Sequence, residues 1–342
     1  MQKASFEELA KIPYLDRSVV GERSLLLMPL WEDAKWHQWV IIEDGKLLQI
    51  QVVDAARSNY VAKVPAKEGD LCIPLVEFLW QHANWPEVSR LILSLCEDFH
   101  LLGTSAAKLR HLFVTRESAN SLLVGSFVQT ELEYLLTVSR SVFDLFQEII
   151  ATLWNGRIRL LDPAAEKKRR QRKLPTTFSD VVLKAEVVRT PEEIIDRFGL
   201  PEPMAKQIVQ QARLFTYVRK WRDRIVHGGS SVDIVFVTDS GFCVSPTHKA
   251  FQDFNWQAGH HFNEAIVSLL PWVAHIVWET IEACTQLMMS FAQCVAFPPP
   301  CAPGYRVFLR DPVNEELIRL LDALNGSNVW WGEPPQKSTP SA

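Results

Sequence analysis

Apolar residues recur at alternating spacings of four and three between Val128 and Leu153, through Leu132, Leu135, Val142, Phe146 and Ile149, with Ser139 as the one polar gap. That repeat is one face of an α-helix. It predicts a long helix over residues 119–154. A second periodic stretch, AKQIVQQARLFTYVRKWRDRIVHGG, covers residues 205–229. In it Leu214, Val218, Trp221 and Ile225 form the face, and Ile208, Phe215 and Val226 widen it. Gly228 and Gly229 mark its end. A third apolar stretch, residues 262–293, predicts a helix bent at Pro271.

The first hundred residues have a different pattern. SLLLMPLW, WVIIE and LLQIQVV read as strands, with Asp44-Gly45 as a turn between the last two. They predict a small antiparallel meander. CIPLVEFLWQHA and VSRLILSLCEDFHLLG read as two helices parted by Asn84-Trp85-Pro86, and residues 105–110 as a further short helix. After the long helix, Thr177 or Ser179 is placed to cap a short helix, and PEEIIDRF starts another with Pro at its first position. VDIVFVTDSGFCVS predicts a hairpin near residues 231–244. PPPCAP reads as a linker, RVFLR as a strand and NEELIRLLDAL as a helix. The fold class is therefore mainly α, α+β overall. The organisation expected is a mixed α/β region over 1–116, an antiparallel helical bundle with a β-hairpin insertion over 117–297, and a Pro-rich linker, short strand/helix and tail over 298–342.

Composition narrows the classes of function. With 47% hydrophobic and 22% charged residues, the 342-residue chain reads as a folded soluble protein. The formal net charge of −4 exerts no global pull on nucleic acid, so such binding needs a local patch. The 6 cysteines form no CxxC pair, which suits a reducing cytoplasm. No stretch is long and apolar enough to predict a membrane span. P-loop, dinucleotide-fingerprint and GxSxG motifs are missing, so nucleotide hydrolysis, nicotinamide chemistry and the common serine hydrolase are disfavoured. His260, His261 and Glu264 have spacings a metal can use, but without HExxH or a third ligand they predict no metal site.

The residues with chemical promise lie at the end of the second helix. Arg222 falls angularly inside the apolar arc, which predicts a buried guanidinium in need of an acid. Glu131, Asp144 and Glu148 are the acids on the long helix from which its partner would come. Asp223 and His227 are four apart and within reach of each other on a helix, a pairing that orients an imidazole. Arg222 and His227 are separated by about 140° on a regular helix, so a flat surface cannot engage both.

The string RDRIVH, residues 222–227, resembles the R-x4-6-H signature of the HEPN superfamily, which favours Asn, Asp or His directly after the Arg. The resemblance covers about half of the chain and implies a HEPN-like antiparallel helical bundle. It also implies a metal-independent endoribonuclease, a toxin or defence effector, with Arg222, Asp223 and His227 as catalytic residues, no cofactor and no metal. The partners implied are a second copy, RNA, and a cognate antitoxin or regulatory protein. A homodimer whose interface includes the 205–229 helix end would bring two Arg–His sets to one RNA strand. The competing expectation is a non-catalytic scaffold of the same shape that binds RNA, a nucleotide or a protein. HEPN toxins controlled by a nucleotidyltransferase carry Tyr two residues after the His. Gly229 stands there in this chain, so tyrosine adenylylation of that kind is not expected.

One more stretch bears on RNA. EKKRRQRK, residues 166–173, has a local charge of +5 from Lys167, Lys168, Arg169, Arg170, Arg172 and Lys173 against Glu166. Such a run stays solvated and neutralises phosphates. It holds no aromatic residue for stacking, so its expected contact is with the RNA backbone.

Overall fold

The computed structural model describes residues 4–25, 27–118, 121–228 and 234–324. Of residues 118, 121–122 and 225–228 it describes the backbone and not the side chains. About 55% of the chain is helical, accompanied by a small mixed sheet, so the protein is mainly α within an α+β whole.

In chain order the elements are α1 (Arg17–Val20), β1 (Leu30–Glu32), β2 (Lys35–Ile41), β3 (Leu47–Val52), β4 (Ser58–Ala62), α2 (Pro74–His82), α3 (Pro86–Val114) and α4 (Ser121–Gly156). There follow α5 (Pro163–Arg169), α6 (Phe178–Val182), β5 (Leu183–Lys184), β6 (Val187–Val188), α7 (Pro191–Phe198) and α8 (Glu202–Gly228). The chain continues with β7 (Phe236–Thr238), β8 (Gly241–Val244), β9 (Val267–Ser268), α9 (Leu270–Cys294), β10 (Arg306–Arg310) and α10 (Asn314–Leu324). Two compact units divide it. The first comprises residues 1–97, 142–213 and 282–314, the second residues 98–141, 214–281 and 315–342.

The first unit holds a five-stranded sheet in the order β10-β4-β1-β2-β3. β2 and β3 form the hairpin expected from Asp44-Gly45, and both turn residues have positive φ, 62° and 70°. The register, Ile41 opposite Leu47, leaves Glu43, Asp44 and Gly45 in the loop, and its two left-handed residues turn the chain back onto β2. The sheet is nevertheless not an antiparallel meander. β4 lies parallel to β1, Leu30 opposite Val61, and β10 arrives from far along the chain to pair antiparallel with β4, Phe308 opposite Tyr60. The physical reason is aromatic burial: Trp36, Tyr60, Ala62 and Phe308 form one core cluster, which needs strands from both ends of the sequence. Arg310 lies over the Trp36 ring with its charge held by Asp70, its Nη2 2.9 Å from Oδ2.

The helical pattern of the sequence translates directly. Val128, Leu132, Leu135, Ser139, Val142, Phe146, Ile149 and Leu153 are all buried along α4. The third apolar stretch behaves differently. α9 starts at Leu270, not at residue 262, and Pro271 sits in its first turn. A residue without an N–H and with fixed φ fits there, so no bend is needed. Upstream, Asn263 turns the chain by accepting from the N–H groups of Ala265 and Ile266, at 2.8 and 3.0 Å. The helix expected at residues 105–110 is part of the continuous α3.

Local caps set the smaller helices. Thr177 accepts from the Asp180 N–H at the start of α6. Thr190 and Glu193 form a reciprocal capping box on α7, which Gly199 ends in a left-handed conformation at φ 71°. In the second unit, β7, β8 and β9 make a three-stranded antiparallel sheet that extends the expected hairpin by one strand. The long helices touch through defined pairs. Arg140 of α4 lies 4.6 Å from the Phe215 ring centre of α8, and Trp272 of α9 donates its indole N–H to Tyr217 Oη of α8 at 2.8 Å. In the first unit Gln207 and Gln211 of α8 both reach Gln286 of α9.

Candidate functional site at the end of α8

α8 buries Ile208, Gln211, Ala212, Phe215, Val218 and Trp221. Arg222 belongs to that same side by azimuth, yet its side chain is 39% exposed. A helical wheel gives direction around the axis and not how far along it the covering residues reach. The expected buried guanidinium is therefore replaced by a half-open one. Its acid is the neighbouring residue: Nη1 donates to Asp223 Oδ1 at 3.0 Å. Asp223 Oδ2 lies 3.5 Å from Arg219 Nε, so the carboxylate stands between two guanidinium groups.

The acids on α4 are occupied elsewhere or turned away. Glu131 takes the Ser105 hydroxyl and Lys108 Nζ, the latter at 3.3 Å. Asp144 Oδ1 accepts from the Phe178 N–H at 3.3 Å, and Glu148 is exposed. The backbone of His227 belongs to the last turn of α8, and its side chain lies outside the described residues, as does the expected contact with Asp223.

A feature not singled out from sequence is the charge of this helix. Between residues 213 and 224 the cations Arg213, Arg219, Lys220, Arg222 and Arg224 stand against Asp223 alone. Lys220 Nζ and Arg224 Cζ lie 5.6 and 4.9 Å from the Trp221 ring, so their stems are held over an otherwise buried indole. The signal was legible as RKWRDR. It was masked by the more concentrated run at residues 166–173.

That run divides in the structure. Asp162 caps α5 by accepting from the Ala164 N–H at 2.9 Å. Glu166 then binds Arg169 through both oxygens, at 2.8 Å each, and Arg170 Nε at 2.9 Å. Arg169 also donates to the Trp154 carbonyl and lies over the Trp154 ring. Arg172 Nη1 donates to the Ile195 carbonyl at 3.2 Å. Arg169 and Arg172 thus tie α5 and the following segment to neighbouring elements, whereas Lys167, Lys168, Arg170 and Lys173 are exposed.

Other reactive groups have ordinary surroundings. His260 is buried, its Nδ1 3.2 Å from the Gln257 N–H, and burial holds its imidazole below the usual histidine value. Burial pushes the Cys72 and Cys96 thiols up to about 12. Among the described residues no group of three or more His, Cys, Asp or Glu is placed to hold a metal ion. No helix among them is long and apolar enough to cross a membrane. No protein-family model matches the chain, and no curated protein or solved structure does either.

Proposed function

We propose that the protein is a metal-independent endoribonuclease of the HEPN type, acting as a growth-arresting toxin or defence effector. The observation that supports this most is the accessible Arg222 guanidinium beside Asp223 on a strongly basic helix end, five residues before His227. An arginine fork there suits two oxygens of a phosphodiester. In the proposed reaction a ribose 2′-OH attacks the adjacent phosphorus and the bond to the 5′-oxygen breaks. His227 takes the 2′ proton, and a second imidazole, His227 of a second copy, protonates the leaving oxygen. Arg222 balances charge on the non-bridging oxygens. The fragments carry a 2′,3′-cyclic phosphate and a 5′-OH. A homodimer through the α8 end overcomes the divergence of Arg222 and His227 on one helix. Lys167, Lys168, Arg170 and Lys173 are the exposed cations of the basic run that remain for the RNA backbone. An antitoxin or regulatory protein would have this helix end to cover.

A second reading, a non-catalytic RNA-binding scaffold, draws on the position of Asp223, whose two oxygens are on Arg222 and Arg219. The test is incubation of the purified protein with single-stranded RNA in EDTA, with identification of the fragment ends. Cyclic-phosphate ends that vanish with His227→Ala, while the circular dichroism of the variant stays that of the parent, are the expected result. RNA binding without cleavage selects the scaffold. Neither binding nor cleavage removes both readings.

A further inference from the structure

The two edges of the five-stranded sheet are finished differently. β10 is covered, because Leu309 exchanges backbone hydrogen bonds with Leu71 at 3.0 and 2.7 Å. β3 is covered only at its start. There the Leu47 N–H goes to the Glu8 carboxylate at 2.6 Å, and the Leu47 carbonyl receives Lys11 Nζ at 3.4 Å. These bonds show which residues of β3 face away from β2: they are the odd-numbered ones. Gln49 and Gln51 come next in that outward series, and no described residue bonds to their N–H or C=O groups. Leu48 is 49%, Ile50 38% and Val53 97% exposed. An uncharged edge strand with exposed apolar side chains is a template for another strand, and a chain normally blunts such an edge with charge or proline.

The sequence of this edge says what covers it. Lys46-Leu-Leu-Gln-Ile-Gln-Val-Val-Asp54 reads alike in both directions about Ile50, apart from its ends, which carry opposite charges. We propose that β3 pairs antiparallel with β3 of a second copy about a twofold axis through Ile50, joining two five-stranded sheets edge to edge. In that register Gln49 stands opposite Gln51 of the second copy, and the outward groups of both residues on both strands are satisfied by four hydrogen bonds. On one face Leu48 meets Val52 and Ile50 meets Ile50, all apolar. On the other the glutamines meet one another. At the ends Lys46 of each copy comes opposite Asp54 of the other, whose carboxylate is already held by Arg310 at 2.8 Å and by Lys67 at 3.6 Å, so the register rests on the strand interior and not on its ends. Shifting the axis to Gln49 sets Gln51 against Leu47, whose outward groups Glu8 and Lys11 already hold. Shifting it to Gln51 sets Gln49 against Val53 and loses the Ile50 pair. The contact is short for a permanent interface, so the dimer is reversible and grows with concentration. This pairing does not depend on the chemistry of Arg222 and His227.

The register supplies its own test. Opposed residues in a non-hydrogen-bonded pair have Cα atoms about 4.5 Å apart, within the range a disulfide spans. Under mild oxidation Ile50→Cys should form a cross-linked dimer about tenfold or more faster than Gln49→Cys, because pairing makes the reaction effectively intramolecular. The parent protein, with its own 6 cysteines, serves as the control for background cross-linking. Sedimentation velocity at rising concentration should show Ile50→Lys forming smaller assemblies than the parent, stopping at any dimer made through the α8 end, since two lysines would then face each other across β3. Ile50→Lys alters an exposed side chain, and its circular dichroism checks that it folds. Equal cross-linking of Ile50→Cys and Gln49→Cys, or association unchanged by Ile50→Lys, overturns the proposal. The second outcome would place any dimer at another surface, including the α8 end.

Discussion

Two stretches of this chain set one carboxylate between arginines, and the protein uses them differently. Glu166 lies between Arg169 and Arg170, and Asp223 between Arg222 and Arg219. In the first, the Arg169 and Glu166 side chains are 11% and 13% exposed, the guanidinium is bound by both its edges, and a main-chain carbonyl of another helix completes the set. In the second, Arg222 and Asp223 are 39% and 40% exposed and joined by one hydrogen bond. The first is a staple holding α5 to α4. The second leaves a cation facing solvent, where a phosphate can compete for it. Similar local sequence therefore does not imply similar duty: accessibility separates a structural arginine from one open to a ligand.

The largest effect that would sharpen this contrast is that of Arg169→Ala. It leaves Glu166 without its bidentate partner and the Trp154 carbonyl without its donor, and should cost on the order of 3 kcal/mol in urea unfolding. A loss no greater than that of Arg222→Ala would erase the distinction.

Next comes the acid side of the same staple. The Arg169 hydrogen bonds foremost, aided by the Leu160 N–H and Arg170, hold the Glu166 carboxyl far below its ordinary value of 4.5. A depressed folded value means that the stabilisation is complete above the unfolded value and is lost as pH falls toward the folded one. Glu166→Gln should cost about 2 kcal/mol at neutral pH. The gap between parent and variant should narrow once the pH drops below about 4.5. A gap constant down to pH 2 would show that the charge of Glu166 is not what binds Arg169.

The smallest stability effect belongs to Arg222→Ala, below about 1 kcal/mol for so exposed a pair. Under the proposed function the same substitution should abolish RNA cleavage in EDTA. A large loss of stability would instead make Arg222 a packing residue, and retained cleavage would remove it from the site.

How far the fold was legible depends on where the deciding information lies. The α4 stripe from Val128 to Leu153 was readable because a period of 3.6 is written within a few turns, and each residue on it is buried. A cap at Thr177 or Ser179, of which the structure uses Thr177, the Pro191 start of α7 and the Asp44-Gly45 turn were readable for the same reason, since each acts over a few neighbouring residues. The start of α9 was misplaced because an apolar run does not reveal where its first hydrogen bond forms, and Pro271 is compatible with a bend or with a first turn.

What the sequence by itself determined is thus the helical character, the face each helix buries, the caps, and the pattern about Ile50 whose meaning depends on an open edge. Only the tertiary structure decided that β10 completes the sheet next to β4, since those strands are far apart in the chain and pair through aromatic burial, not local propensity. It alone decided that Arg169 is a staple, that Arg222 is half open, and that β3 rather than β10 is the unprotected edge. Those are questions of what lies over a side chain or beside a strand. Local sequence carries direction and propensity, whereas cover is supplied by residues tens to hundreds of positions away.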